Sequence, residues 1–149
     1  MKKILLALLA VFSLPAAAYD QNSVPTVNGL HLGDSYSQAV SILGTGEAFP
    51  MNPGVFSMMY ETTGLSIFLS EQAGINRIEQ IDANLPQSGS VFGVQVGQSK
   101  DIVEQLVGPL NFADTDDVYD AVLVGRGWRI HFLFDARDIL QKFVLVVPK

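Results

Sequence analysis

His31 and His131 are the only imidazoles among the 149 residues, and there is no cysteine. Thiolate nucleophiles, disulfides, cysteine-ligated zinc, iron–sulfur clusters and lipoprotein acylation are thereby excluded together. The two histidines lie far apart in the chain, outside any His-Glu-x-x-His or other close ligand pair, so each reads as a structural or surface residue. Seryl hydrolysis asks for a Gly-x-Ser-x-Gly elbow that exposes the hydroxyl on a strained turn. Gly33-Asp34-Ser35-Tyr36-Ser37 and Gly97-Gln98-Ser99-Lys100-Asp101 both lack the last glycine, and both open an apolar-periodic segment, where a serine caps a helix. Asp114, Asp116, Asp117 and Asp120 gather carboxylates as a cation loop would. Val118 stands where a calcium loop needs an oxygen, however, and no glycine supplies the sharp turn, so the run reads as a solvated loop. Met51, Met58 and Met59 are soft donors, but strand geometry sends the adjacent pair to opposite faces, which leaves them as packing residues. No catalytic residue, metal or cofactor is expected.

Helices and strands of identifiable length must carry what remains. Ser35 and Ser99 are placed to accept from an amide of a first helical turn, Gln38 completes a capping box with Ser35, and Gly44 and Gly108 suit the left-handed closing position. Helices are therefore predicted over 35–43 and 99–107. Their apolar faces are Ala39, Ile42 and Leu43, and Ile102, Val103, Leu106 and Val107. Alternating or β-rich segments at 54–61, 64–70, 77–85, 118–124, 127–134 and 139–147 predict six strands. Tight turns at Thr62-Thr63 and Gly125-Arg126 would pair Glu61 with Gly64 and Val124 with Gly127. That register sends Phe56, Met58, Tyr60, Leu65, Ile67 and Ile81 toward the first helix, and Tyr119, Leu123, Trp128, Ile130, Phe132 and Phe143 toward the second.

The two halves correspond in sequence. Gly29 to Ser35 matches Gly93 to Ser99, Ile42-Leu43-Gly44 matches Leu106-Val107-Gly108, and Ile78-Glu79-Gln80-Ile81 matches Leu140-Gln141-Lys142-Phe143. The fold expected is α+β: two tandem copies, 19–89 and 90–149, each a short helix on a three-stranded antiparallel meander, joined into one continuous sheet. The opposite sheet face would carry Ser57, Met59, Ser66, Phe68, Gln80 and Asp82 from the first copy, and Asp120, Val122, Arg129, His131, Lys142 and Val144 from the second. A face mixing apolar, aromatic and charged groups has the character of a protein recognition surface.

Residues 1–18 read as a signal peptide: Lys2-Lys3, an apolar run from Ile4 to Leu14 too short to cross a bilayer, and Pro15-Ala16-Ala17-Ala18 before the cut. Cleavage after Ala18 predicts a periplasmic or secreted protein with no stable membrane anchor. It also takes the net charge from −6 to −8, because Lys2 and Lys3 leave with the leader. Nucleic acid is excluded as a partner on that balance. The positive charge sits almost wholly in the second half, with Arg126, Arg129 and Lys142 expected near one end of the sheet.

The run Gly97 to Pro109, with Ile130-His131-Phe132-Leu133-Phe134-Asp135 and Ile139-Leu140 after it, resembles the small barrel-assembly lipoproteins of the bacterial outer membrane, of the SmpA/OmlA type. Doubled in one exported chain, the unit is similar to the secreted β-lactamase inhibitor proteins, in which tandem copies form a concave sheet that grips another protein. The chain lacks the lipidated cysteine of the first family and the bracing cysteines of the second. The resemblance and the outer face together imply a non-enzymatic protein-binding module, inhibitor-like or an envelope assembly factor. Its binding residues would be Met59, Phe68, Gln80, Asp82, Val122, Arg129, His131 and Lys142. The alternative is a periplasmic small-ligand or metal-binding protein, or a weak hydrolase, using His131, Asp120 and Arg129.

Overall fold

The computed structural model describes residues 19–112 and 119–149. The expected leader and the acidic positions Asp114, Asp116 and Asp117 lie outside the described residues. Helix α1 (Tyr36–Leu43) precedes β1 (Glu47–Asn52), β2 (Val55–Tyr60), β3 (Leu65–Gln72) and β4 (Ile75–Ala83); a 3-10 turn follows at Pro86–Ser88. Then come α2 (Lys100–Val107), β5 (Asn111–Phe112), β6 (Tyr119–Gly125), β7 (Trp128–Phe134) and β8 (Leu140–Val146). All eight strands form one antiparallel sheet in the order β1-β2-β3-β4-β8-β7-β6-β5.

This architecture overturns the α+β expectation of two tandem units, each a helix on a three-stranded meander. Among the described residues the fold is mostly β, with only two α-helices of 8 residues each; that the strands share one sheet agrees with the expectation. β1 and β5 add strands that no meander anticipated. The free edges of β4 and β8 join through Gln80↔Val146, Ile81↔Leu145, Asp82↔Val144 and Ala83↔Phe143. An unpaired edge on either strand would leave amides and carbonyls without partners, and the two edges satisfy each other. One apolar core runs along the sheet, from Val27, Met58, Ile67 and Ile81 to Val103, Ile130, Phe132 and Phe143, all fully buried.

Local chemistry fixes the helices and their seats. Ser35 N–H donates to Gln38 Oε1 at 2.7 Å while Gln38 N–H donates to Ser35 Oγ at 3.3 Å, the reciprocal capping box. Ser99 Oγ accepts from Ile102 N–H at 3.4 Å. Gly44 (φ 79°) and Gly108 (φ 84°) close the two helices in a conformation that costs other residues strain. Gly33 N–H bonds Ile78 O at 2.7 Å, and Gly97 N–H bonds Leu140 O at 2.8 Å, so each turn before a helix is tied to a central strand. Ala39, Val103 and Val107 are the helical residues buried. Ile42 and Ile102, assigned to the packed faces, are exposed instead, because two turns of helix present too narrow a stripe to bury every apolar side chain.

The second hairpin also differs from expectation. Val124 pairs with Arg129 and Gly125 with Trp128, which places the turn at Arg126-Gly127 and shifts the register by two residues. A shift of two keeps parity, so the described side chains of β6 and β7 stay on their expected faces, the side chain of Tyr119 lying outside the description. Leu123, Trp128, Ile130, Phe132 and Phe143 are buried as anticipated. Between the halves, Ser88 ties the chain down: it is fully buried, donating to Thr63 O at 2.6 Å and accepting from Leu85 N–H at 3.0 Å.

Candidate functional site

The face opposite the helices is built in lateral rows set by strand pairing. One row runs Phe49, Ser57, Phe68, Gln80, Val146, Arg129, Val124. The next runs Glu47, Met59, Ser66, Asp82, Val144, His131, Val122, Asn111. Lys142, Leu133 and Asp120 form a shorter third row. All eight expected binding residues, Met59, Phe68, Gln80, Asp82, Val122, Arg129, His131 and Lys142, therefore share one face. Period-two alternation made that legible. Phe49, Leu133 and Val146 belong to the face as well and were missed, although the same alternation marks the latter two.

Two polar clusters organise it. Asp82, with its side chain only 8% exposed, receives Lys142 Nζ on Oδ2 at 2.7 Å and Gln80 Nε2 on Oδ1 at 2.8 Å. The contact is diagonal across the β4–β8 seam, from Asp82 to the residue two beyond its paired Val144. His131 Nδ1 stands 3.0 Å from Asp120 Oδ2 and 3.3 Å from Oδ1, across β6 and β7. Such a pair orients an imidazole, as the carboxylate of a hydrolytic triad does. Among the described residues no serine or threonine hydroxyl bonds this histidine, and no group of three histidine or acidic side chains is placed to hold a metal.

Arg129 is the exposed cation of the face, and no ion pair among the described residues involves it. Val146 and the 52% exposed Val124 flank it in its row. Arg126 lies at the adjoining hairpin tip, but Lys142 does not share that end. Lys142 pairs with Leu133, four residues along β7 from Arg129, and is bound to Asp82, so the expected basic cluster divides. The bulge that skips Gln141 between the Leu133 and Phe134 pairings lies beside this divide and is invisible to sequence periodicity.

The other histidine lines a shallow depression beside α1 with Asp34, Ser37, Gln38 and Ser41. Its polar groups already serve the chain: Asp34 Oδ2 accepts His31 N–H at 2.8 Å, Gln38 holds the capping box, and Ser41 Oγ donates to Ser37 O at 2.9 Å. Little is left there to bind a ligand.

Comparison with known proteins locates the architecture without naming a family. No family model matches the chain, and no curated protein matches it. Among solved structures it is similar to an extracellular protein containing an SCP domain from Bacillus anthracis, with TM-score 0.61 and 9% identity over 78% of this chain and 44% of that one. It is also similar to a cysteine-rich secretory protein from Staphylococcus aureus, with TM-score 0.61 and 12% identity over 85% of this chain and 46% of that one. A DUF4309 family protein of Bacillus subtilis aligns with TM-score 0.49 at 13% identity, over 87% of this chain and 86% of that one. The chain spans less than half the length of the first two, and at these identities the likeness is one of fold. None of the three is described as a β-lactamase inhibitor or an assembly lipoprotein.

Proposed function

We propose that the chain is an exported, non-enzymatic module that binds another protein through the sheet face opposite its helices, in the manner of an inhibitor or an envelope assembly factor. The observation that carries this reading is the face itself: eight strands wide, about 34 Å at ordinary strand spacing, and carrying an exposed arginine among half-buried apolar side chains. The sheet edges offer less. β1 carries Pro50, which has no amide to donate to an added strand, and β5 is two residues long. Lys142 is held by Asp82 and His131 stands against Asp120, so Arg129 is the cation of the face left exposed to a partner. Export is supported by the leader pattern and by the extracellular and secretory descriptions of the two structural neighbours. The acidic balance disfavours nucleic acid, and the reading needs no cofactor.

Immobilised mature protein, exposed to envelope and secreted fractions, tests the reading. Arg129→Glu and Phe68→Ala should abolish capture of the partner, while Glu104→Gln on α2 leaves it intact. Capture that is indifferent to the face variants, or absent at every salt concentration, overturns it. The His131–Asp120 pair favours a second reading, a small-ligand or metal-binding site. Native mass spectrometry separates the two, since only the second gives a bound species of defined mass lost in Asp120→Asn.

A further inference from the structure

A small cavity of about 130 Å³ opens at the tip of the β6–β7 hairpin, lined by Val24, Pro25, Leu32, Arg126, Gly127 and Trp128. Its wall is built before any ligand arrives. Trp128 Nε1 donates to Ser23 O at 2.9 Å, and the Tyr19 and Phe92 rings pack on the indole with centroids 5.9 and 5.5 Å away. Arg126 N–H donates to Gln21 O at 3.0 Å, which ties the hairpin tip to the segment carrying Val24 and Pro25. The Arg126 side chain is exposed and makes no hydrogen bond or ion pair among the described residues. Asp20, the one acid of residues 19–28, accepts instead from Asn22 N–H and Nδ2 at 2.9 and 3.2 Å. A preformed apolar pocket lined by one unengaged cation suits an apolar group that carries a negative charge.

We propose that this pocket captures the carboxyl terminus of a polypeptide ending in leucine, isoleucine or valine. The last side chain fills the cavity against Trp128 and Leu32, and the terminal carboxylate meets the Arg126 guanidinium. The volume equals that of about four water molecules in the liquid, room for one branched side chain and little more. An aspartate or glutamate side chain brings no branched apolar group with its charge, whereas a chain end supplies both from one residue. The guanidinium fork offers a carboxylate two parallel N–H···O bonds, which a carboxamide cannot accept. A free acid of the same size buries too little to offset its lost translational freedom, while a chain end adds backbone contacts over the 69% exposed Val24. The site is separate from the face opposite the helices, because the Gly125–Trp128 pair alternates away from the neighbouring Val124–Arg129 pair. It stands whether or not that face binds a protein.

Titration of the protein with acetyl-Ala-Ala-Ala-Leu tests this, read by the fluorescence of Trp128, the sole tryptophan, and by saturation-transfer NMR of the peptide. The comparison ligands are the same peptide as its carboxamide, acetyl-Ala-Ala-Ala-Ala, and 3-methylbutanoate. The free acid should saturate both signals, with binding roughly fivefold or more weaker for the carboxamide and roughly tenfold weaker for the alanine end. Arg126→Gln should bind acid and carboxamide alike while keeping the preference for leucine and the thermal transition. Phe68→Ala, on the opposite face, should change neither affinity, and a loss there would move the binding to that face and overturn the pocket. Equal binding of acid and carboxamide by the wild type overturns carboxylate capture, and an alanine end that binds as well as leucine overturns the cavity as its seat. 3-Methylbutanoate that binds as tightly as the peptide assigns the site to small acids and overturns the chain end as its occupant. Absence of binding by both readouts overturns the proposal outright, and none of these outcomes bears on capture of a partner by the sheet face.

Discussion

Removing the ammonium of Lys142 would isolate a carboxylate that the sheet has nearly sealed. Breaking a buried pair by deleting one partner costs on the order of 3–5 kcal/mol. Lys142 is itself 36% exposed, so solvent already screens the pair, and Gln80 continues to donate to the other oxygen of Asp82. Both facts reduce the expectation for Lys142→Met to about 2 kcal/mol, a fall of roughly 5–8 °C in the melting midpoint. Methionine is the informative replacement because it keeps the apolar stem over Val144 and Leu133. Asp82→Asn combined with Lys142→Met removes the stranded charge and should return most of the loss, with a coupling of about 1–2 kcal/mol in a double-mutant cycle by urea unfolding. A loss under about 0.5 kcal/mol for Lys142→Met would refute the description of Asp82 as a buried carboxylate held by that lysine. The result bears on function, because a lysine needed to satisfy Asp82 is not free to greet a partner.

Three further outcomes follow from the same geometry. Trp128→Ala should cost roughly 3–5 kcal/mol, whereas Arg129→Ala, one residue on and outward-facing, should cost less than about 1 kcal/mol; denaturant midpoints read both. Gly125→Ala would drive its methyl into the Trp128 ring, and should lower stability by about 2–4 kcal/mol with a red shift of tryptophan emission. Asp135 accepts from the amides of Ile139 and Arg137, and the Ile139 bond foremost holds its carboxyl below the usual range. A lowered folded pKa gives stability that is present above the ordinary carboxylate range and lost as pH falls through the folded value. The stability gap between wild type and Asp135→Asn should accordingly narrow with acidification, and a gap that widens would contradict the assignment.

What could be read from residue order was whatever local chemistry decides. The capping box of Ser35 and Gln38 and the closing glycines involve neighbours within a turn, and they appear where expected. Strand faces were legible because parity survives a two-residue register error, as the Arg126-Gly127 turn shows. β1 escaped notice because Glu47–Asn52 neither alternates in burial nor avoids proline. Joining β4 to β8 left no local trace, since the pairing reflects two edges that lack any other partner. The burial of Asp82 and the engagement of Lys142 depend on that seam, so the membership of the candidate face was readable and its internal electrostatics were not.

The seam also sets the hazard of making this protein. β4 can fold against β3 as soon as its residues are available, but the edge that completes it belongs to Leu140–Val146, the last strand among the described residues. Until synthesis or translocation delivers that strand, β4 offers an open hydrogen-bonding edge flanked by Ile78 and Ile81, a template for another nascent copy. Chains stopped short of β8 should therefore self-associate instead of persisting as monomers. Yield in a producing cell should then fall as the delay between the fourth strand and β8 lengthens, and losing a few residues of β8 should be costlier than losing as many from the exposed first strand.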